Sequence, residues 1–148
     1  MKWTIAFDSG CDLRELSCSD DIALRLVPLK IVLGDRDITD DGQTSLAQLQ
    51  EQLDTVKCKT GTACPSVGEW KAAMAEGEKV IAVTISGTVS GSYQSACAAR
   101  DLLLEKDPSR EIFVLDSIPP PPDTLFSTKI SRLGSFSSSI SRAAQALW

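Results

Sequence analysis

The sequence predicts an α/β fold: an open, mainly parallel sheet with helices on both faces. Residues 79–85 and 111–115 are apolar after their first residue except at Thr84, as is typical of strands buried on both sides of a parallel sheet. Segments with helical periodicity separate the strand-like runs, and parallel strands need such crossover connections. The chain of 148 residues, with 43% hydrophobic residues, is also large enough to bury a core without disulfide or metal support.

The first residues are predicted to form a strand and then a short helix. Residues 2–7 alternate between apolar and polar side chains and end at the turn-forming residues 8–10, a pattern typical of a strand. A short helix is expected over residues 14–24, around Ile22 and Leu24.

The next part of the chain is predicted to contain an interrupted strand and two polar loops. Residues 26–33 are apolar and partly β-branched, and Pro28 within this run indicates an edge strand or a bulge. Residues 34–42 are acidic and rich in turn formers, and residues 57–65 show no apolar periodicity. Both segments are therefore expected to be loops.

Three helices are predicted from their start signals and periodicity. Ser45 and Gln48 form a capping-box pattern, and Ser66 and Glu69 form a second one. Residues 93–105 place alanine and leucine side chains on one face, which indicates a third helix.

Net charge and the absence of histidine exclude several function classes. Twenty acidic against fifteen basic residues give a net charge of −5, which argues against nucleic acid as a partner. The chain has no His, which excludes Ser-His and Cys-His catalytic pairs and His-ligated metals. No apolar run approaches the length of a membrane-spanning helix. Five cysteines without a C-x-x-C pair favour reduced thiols and a cytoplasmic location.

Three polar loops follow predicted strands, and in an open parallel sheet ligands bind at the carboxyl ends of the strands. These loops are residues 8–12, 86–92 and 116–117, and all are small and rich in hydroxyl groups. Ser9 and Ser117 are therefore candidates for the same site as the loop at 86–92.

The loop at residues 86–92 has the features of an anion site. It joins a buried strand to a helix, so free backbone N–H groups and the positive end of the helix dipole converge there. Ser90 and Ser92 add hydroxyl donors, and Gly91 allows close approach to the backbone, which suits a carboxylate or a phosphate. The alternative is that Ser90 or Ser92 only caps the helix, a common role for serine.

Thr62 and Ser66 flank a proline ahead of another predicted helix. Either their hydroxyls reach the same anion, or they act only as a turn and a cap. Asp8 and Asp12 lack a third oxygen-rich partner, so no metal site is predicted.

Five segments stand in a recognisable order and spacing. They are FDSGCDL at 7–13, LVPLKIVLGD at 26–35, TACPSVGEW at 62–70, ISGTVSGSYQSA at 85–96 and IFVLDS at 112–117. Together they resemble the DegV family of bacterial fatty-acid-binding proteins, and the third and fourth are specific when found together. The resemblance covers roughly residues 1–117.

The resemblance implies a ligand and a partner as well as a fold. Proteins of this family hold one long-chain fatty acid between two α/β domains and bind its carboxylate with hydroxyls, and the matching positions here are Thr62 and Ser90. The family also implies a carrier, not an enzyme, that presents the acid to a fatty-acid kinase and needs no cofactor. The supporting loop residues are Ser9, Gly91, Ser92 and Ser117.

The chain departs from the family pattern in three places. The Ser-Gly-Thr-Tyr run of the family reads Ser90-Gly91-Ser92-Tyr93, which is a conservative change. The Thr-Ser-Gln run of the family reads Thr62-Ala63-Cys64, so one hydroxyl is lost. After Ser117 other members continue into a second domain, whereas residues 118–148 here are rich in proline and serine. We expect an N-terminal α/β domain over residues 1–117 and an atypical tail, either a frameshift product or a native extension, in place of the second domain.

Two other function classes remain open. One is a small α/β enzyme acting on a phosphorylated or acyl substrate at the strand ends, although the loop at 86–92 contains no Lys. The other is a folded but inactive truncated fragment. A chain without the second domain would expose an apolar face, which predicts a homodimer through that face.

Overall fold

The structure, a computed structural model, describes residues 3–10, 20–55, 57 and 59–117. The predicted tail at 118–148 lies outside these residues. The elements, in chain order, are β1 (Trp3–Asp8), β2 (Ile22–Val27), β3 (Lys30–Leu33), β4 (Arg36–Thr39), α1 (Leu46–Thr55), β5 (Thr60–Ala63), α2 (Val67–Met74), β6 (Lys79–Thr84), α3 (Ser92–Lys106) and β7 (Glu111–Asp116).

The larger sheet consists of four parallel strands in the order β2-β1-β6-β7. Strand β1 lies in the middle, in register with both neighbours, so that Ile5 pairs with Leu24 on one side and with Ile81 on the other. The predicted open and mainly parallel α/β sheet is confirmed. Its strands end together at one edge, where β1, β6 and β7 present Asp8, Thr84 and Asp116.

Two hydrophobic clusters form on the sheet because alternate side chains of a strand point to opposite faces. The first cluster joins the strands to α2 and α3, whose Trp70 and Met74, and Ala96 and Ala99, are fully buried. In the second cluster the described members all come from strands. They are Ile5, Phe7, Ile22, Ile81, Val83 and Leu115, with Trp3, Leu24 and Leu26 packed against them.

A second sheet, of three antiparallel strands in the order β4-β3-β5, corrects the sequence prediction. Strands β4 and β5 lie in residues 34–42 and 57–65, which were expected to be loops. Both are four-residue strands with no buried side chain, and they lack the apolar alternation by which a strand is recognised. Pairing with β3 determines their structure, and Gly34, with a φ of 63°, makes the turn between β3 and β4.

The prediction of a helix around Ile22 and Leu24 is wrong, because both residues lie in strand β2. Six consecutive residues of β2 pair with β1, and this pairing outweighs any local helical preference. Residues 14–19 of the predicted helix lie outside the described residues, and residues 20 and 21 form a turn before β2. Pro28 follows the edge strand β2 directly, at the corner where the chain passes into the second sheet.

The predicted helix starts are confirmed at α1 and α2. The Gln48 N–H donates to Ser45 Oγ and the Ser45 N–H donates to Gln48 Oε1, which together form a capping box. At α2 the Glu69 N–H donates to Ser66 Oγ, and Glu69 Oε2 accepts the Ser66 N–H at 2.8 Å.

The C-terminal end of α2 is closed by Arg110. Its guanidinium donates hydrogen bonds to the carbonyl oxygens of Met74 and Gly77. These carbonyls lie at or just beyond the end of the helix, where backbone acceptors lack intrahelical partners. Arg110 thereby fixes the turn that leads into strand β6.

Candidate functional site

The candidate site lies at the edge where the parallel strands end. Ser9 follows β1, the loop of residues 85–91 follows β6, and Ser117 follows β7. Because β1, β6 and β7 are neighbours in the sheet, the structure brings these three segments together as predicted. The loop at 85–91 is central, since β6 lies between β1 and β7.

Asp8 links three of the surrounding segments. Its Oδ2 atom accepts the Ile85 N–H at 2.8 Å and the Ser92 hydroxyl at 2.6 Å, and its Oδ1 atom accepts the Gly10 N–H at 3.2 Å. The residue is 1% exposed. Burial raises the pKa of the Asp8 carboxyl, while the three hydrogen bonds act in the opposite direction.

The other side of the loop is held by Asp116, the last residue of β7. Its Oδ1 atom accepts the Gly87 N–H at 3.0 Å. Within the loop, Ser86 Oγ accepts the Thr88 N–H and lies 2.8 Å from Thr88 Oγ1. The loop is therefore fixed from both neighbouring strands and by its own side chains.

Helix α3 begins at Ser92, with Gly91 as its N-cap, so neither Ser90 nor Ser92 occupies the capping position. Ser90 Oγ accepts the Ser92 N–H at 3.3 Å. This contact uses a lone pair of the Ser90 oxygen and leaves its hydroxyl proton without an acceptor among the described residues. The next two N–H groups of the helix, those of Tyr93 and Gln94, also lack a protein acceptor in the described ranges.

Ser92 differs from Ser90 because it faces the protein interior. Its side chain is 0% exposed and donates its proton to Asp8. The sequence suggested Ser92 as a hydroxyl donor in the loop, and the structure places that hydroxyl inside, beneath the site.

Thr62 and Ser66 play different parts. Ser66 is the N-cap of α2, and its Oγ atom also donates to Glu69 at 2.7 Å, so its hydroxyl is engaged. Thr62 is an exposed residue in the middle of strand β5, and its hydroxyl has no partner among the described residues. Of these two hydroxyls, the one at Thr62 is available to a ligand.

Cys64 connects the Thr62 segment to the loop after β6. A Cβ atom at position 91 would lie only 3.1 Å from Cys64 Sγ, so the thiol rests against the Gly91 backbone. Thr62 and Ser90 are each within two residues of this contact. The glycine allows the two segments to approach each other, a role that the sequence did not reveal.

The two remaining predicted residues support the site through their backbone or side chain. Ser9 is 6% exposed, and its Oγ atom accepts the Leu29 N–H at 2.9 Å, at the corner between the two sheets. The Ser117 N–H donates to the Thr84 carbonyl at 3.1 Å, which extends the sheet by one residue.

Asp8 is only a minor candidate from its sequence context, and no pattern in the sequence points to Cys64. An acidic residue directly after a first parallel strand was the available signal for Asp8, but its partner Ser92 is 84 positions away. The residues placed by the structure contain no group of three or more His, Cys, Asp or Glu side chains positioned to hold a metal ion. Nor does any helix among them have the length and apolarity to cross a membrane.

Comparisons with known proteins agree on one family. A family model described as "Uncharacterised protein, DegV family" matches residues 2–118. A DegV domain-containing protein of Streptococcus gordonii is 38% identical over 122 residues, which is 80% of this chain and 42% of that protein. The chain thus spans about two-fifths of the length of the curated relatives it matches.

Solved structures with the same fold carry fatty acids. The fatty acid kinase B3 protein of Streptococcus pneumoniae, loaded with linoleic acid, is 36% identical with a TM-score of 0.74, covering 79% of this chain and 42% of that one. A DegV family protein of Eubacterium eligens, loaded with heptadecanoic acid, is 34% identical with a TM-score of 0.69, covering 78% and 41%.

Proposed function

The chain belongs to the DegV family, and on this premise we propose that it binds the carboxylate of a long-chain fatty acid at the ends of its parallel strands. In the proposed complex the hydroxyls of Thr62 and Ser90 donate hydrogen bonds to the carboxylate. Gly91 provides the close approach, and Ser9, Ser92 and Ser117 hold the surrounding loops.

The observation that carries this proposal is the set of free donors around Ser90. The Ser90 oxygen is oriented by the Ser92 N–H, while its own proton is available to an acceptor. The N–H groups of Tyr93 and Gln94 point from the same helix end, where the helix dipole favours negative charge. A carboxylate can accept all of these donors, because it offers about four lone-pair positions and no proton.

Thr62 supplies the second hydroxyl from the other sheet. Its segment reaches the loop through the contact of Cys64 with Gly91. In the proposed complex the carboxylate therefore accepts one hydroxyl from the segment of each sheet.

We propose a carrier role and not catalysis for this site. The chain has no His, so the usual base for activating a serine is missing. Both aspartates at the strand ends are occupied, Asp8 by three donors and Asp116 by the Gly87 N–H. A bound acid would then be handed to another protein, and a fatty-acid kinase is the partner that the family suggests.

The proposed domain comprises residues 1–117. We also propose that it forms a homodimer through an exposed apolar face. Val89, next to Ser90, is a large apolar side chain that is 72% exposed, and it would contribute to such a contact. If the dimer contact covers Val89, burial of this apolar side chain stabilises the dimer, and a polar substitution there weakens it. Light scattering of the wild type and of Val89→Ser tests this, because a monodisperse monomer in the wild type contradicts it.

Native mass spectrometry of the chain expressed in bacteria tests the proposed ligand. The expected result is a complex whose added mass matches a long-chain fatty acid, and delipidated protein should bind added linoleic acid. A chain that carries no acid and does not take up linoleic acid would contradict the proposal.

A further inference from the structure

Asp8 and Ser92 occupy the buried layer beneath the proposed head-group site. Ser92 is the first residue of α3, and its hydroxyl donates to Asp8 at 2.6 Å. Both side chains are almost fully buried, at 0% and 1% exposure, so neither can touch a ligand that binds on the surface of the loop. Any influence of this pair on binding must therefore act through other residues.

The pair joins the two ends of the loop that carries Ser90. The same Asp8 oxygen accepts the Ile85 N–H at the beginning of the loop and the Ser92 hydroxyl at its end. The loop formed by residues 86–91 is therefore held at both of its ends by one carboxylate oxygen. Asp8 thereby fixes where the first turn of α3 begins relative to strand β6.

The orientation of Ser90 depends on the same residue. The backbone N–H of Ser92 donates to Ser90 Oγ, while its side chain donates to Asp8. The backbone of Ser92 thus orients the Ser90 hydroxyl, and the side chain of Ser92 binds the buried Asp8 carboxylate. A shift of Ser92 away from Asp8 would move Ser90 with it.

We infer that Asp8 and Ser92 are positioning residues for the head-group site, and that their hydrogen bond sets the placement of Ser90 and of the first turn of α3 for carboxylate binding. This inference rests on the proposed function. It assigns to two buried groups an effect on affinity that contact with the ligand cannot explain.

The test compares three variants of the full chain by linoleic acid titration and urea unfolding. Ser92→Ala removes the hydroxyl and is expected to weaken affinity about tenfold, the effect of one hydrogen bond. Ser92→Thr keeps the hydroxyl, matches the family pattern at this position, and is expected to stay within about twofold of the wild type. Arg110→Ala is the control: it removes hydrogen bonds to the Met74 and Gly77 carbonyls, which lie at the opposite end of the main sheet from the loop at 85–91. It should lower the urea midpoint without changing affinity.

The outcomes separate this inference from the proposed function. If the wild type does not bind linoleic acid, the proposed function fails and this inference fails with it. If the wild type binds and Ser92→Ala binds equally well, only the positioning role is overturned. Equal losses of affinity in Ser92→Ala and Arg110→Ala would also overturn it, because they would reflect general destabilisation. Should Ser92→Ala not fold, Ser92→Cys takes its place, and equal affinities of the Cys and Thr variants would overturn the inference.

Discussion

Lys30 in strand β3 and Glu69 in the first turn of α2 form an ion pair with 2.8 Å between Nζ and Oε1. The other carboxylate oxygen of Glu69 accepts the N–H and the hydroxyl of Ser66. One side chain therefore completes a helix cap and ties the second sheet to α2. Because β5 belongs to that sheet, this pair also restrains the strand that carries Thr62.

We expect the stability of the protein to depend on Glu69 in a defined pH range. The Lys30 ammonium, followed by the Ser66 hydrogen bonds, lowers the pKa of Glu69 to about 2 from an ordinary value of 4.5. A carboxyl whose pKa falls on folding stabilises the protein above its unfolded pKa, and this contribution is lost as the pH drops toward the folded value. Glu69→Gln keeps an acceptor for the capping box but removes the charge that pairs with Lys30, so it should cost about 1 kcal/mol at neutral pH. Urea midpoints measured from pH 7 down to pH 2 should converge for the two proteins, and a constant difference would contradict the prediction.

Asp8 should show the opposite dependence. Its pKa is raised by burial, so its ionised form costs stability in the folded state, and this cost develops as the pH rises from the unfolded pKa through the raised folded pKa. Asp8→Asn should therefore become more stable relative to the wild type as the pH rises across that window. Urea unfolding of both proteins on either side of the window measures the change, and a relative stability that falls with rising pH would refute it.

Removing the two hydroxyls proposed to bind the carboxylate should weaken fatty-acid binding without unfolding the protein. Hydrogen bonds to a charged group contribute about 1.5–3 kcal/mol, so Ser90→Ala and Thr62→Val should each weaken affinity by about ten- to a hundredfold. If Ser90 served only the helix end, Ser90→Ala would instead lose about 1 kcal/mol of stability at unchanged affinity. Titration with linoleic acid and urea unfolding of the same samples distinguish the two cases. Unchanged affinity in both variants would remove Thr62 and Ser90 from the site.

The contact between Gly91 and Cys64 should be visible as a coupling between two substitutions. A Cβ at position 91 would lie 3.1 Å from Cys64 Sγ, so Gly91→Ala should push the two segments apart and weaken fatty-acid affinity. Cys64→Ala removes the obstructing sulfur, and the double variant should recover most of the lost affinity. Binding measurements on the four proteins of this cycle give the coupling directly. Additive effects would show that the contact does not control the site.

Arg110 should contribute more to stability than other arginines with surface contacts. Its guanidinium donates to carbonyl groups at the end of α2, and hydrogen bonds from a charged group are worth about 1.5–3 kcal/mol. Arg110→Ala should therefore lower the free energy of unfolding by about 1.5–3 kcal/mol. Arg100→Ala is the matched control, because Arg100 pairs only with its exposed neighbour Asp101 among the described residues, and such pairs contribute about 0–1 kcal/mol. Similar urea midpoints for the two variants would contradict this account.

Three strands of the main sheet, β1, β6 and β7, could be predicted from the sequence because their signals are local. The apolar runs of β6 and β7 and the two capping boxes are read within a few residues. The second sheet could not be predicted in this way. The β5 sequence, Thr60–Ala63, contains a glycine and three small residues, and it becomes a strand only because β3 offers a partner. The helix expected around Ile22 failed for the same reason, since β1 determines the structure of that segment.

The residues of the candidate site also divide into those with a local sequence signal and those that depend on long-range contacts. Ser90 and Thr62 were found from short motifs, and the structure leaves both hydroxyls available. The role of Asp8 depends on Ser92, which is distant in sequence, and the role of Gly91 depends on Cys64 from another segment. Residues that act through long-range contacts leave no spacing pattern by which they could be recognised.

The division of the chain into two sheets has a consequence for the distance between the two proposed head-group donors. Thr62 belongs to the three-stranded sheet, whereas Ser90 follows a strand of the four-stranded one. No backbone ladder of the described residues joins the sheets, so the spacing of the donors depends on side-chain contacts such as Ser9 with Leu29 and Lys30 with Glu69. One substitution at such a contact can therefore change the distance between the Thr62 and Ser90 hydroxyls while both sheets stay intact.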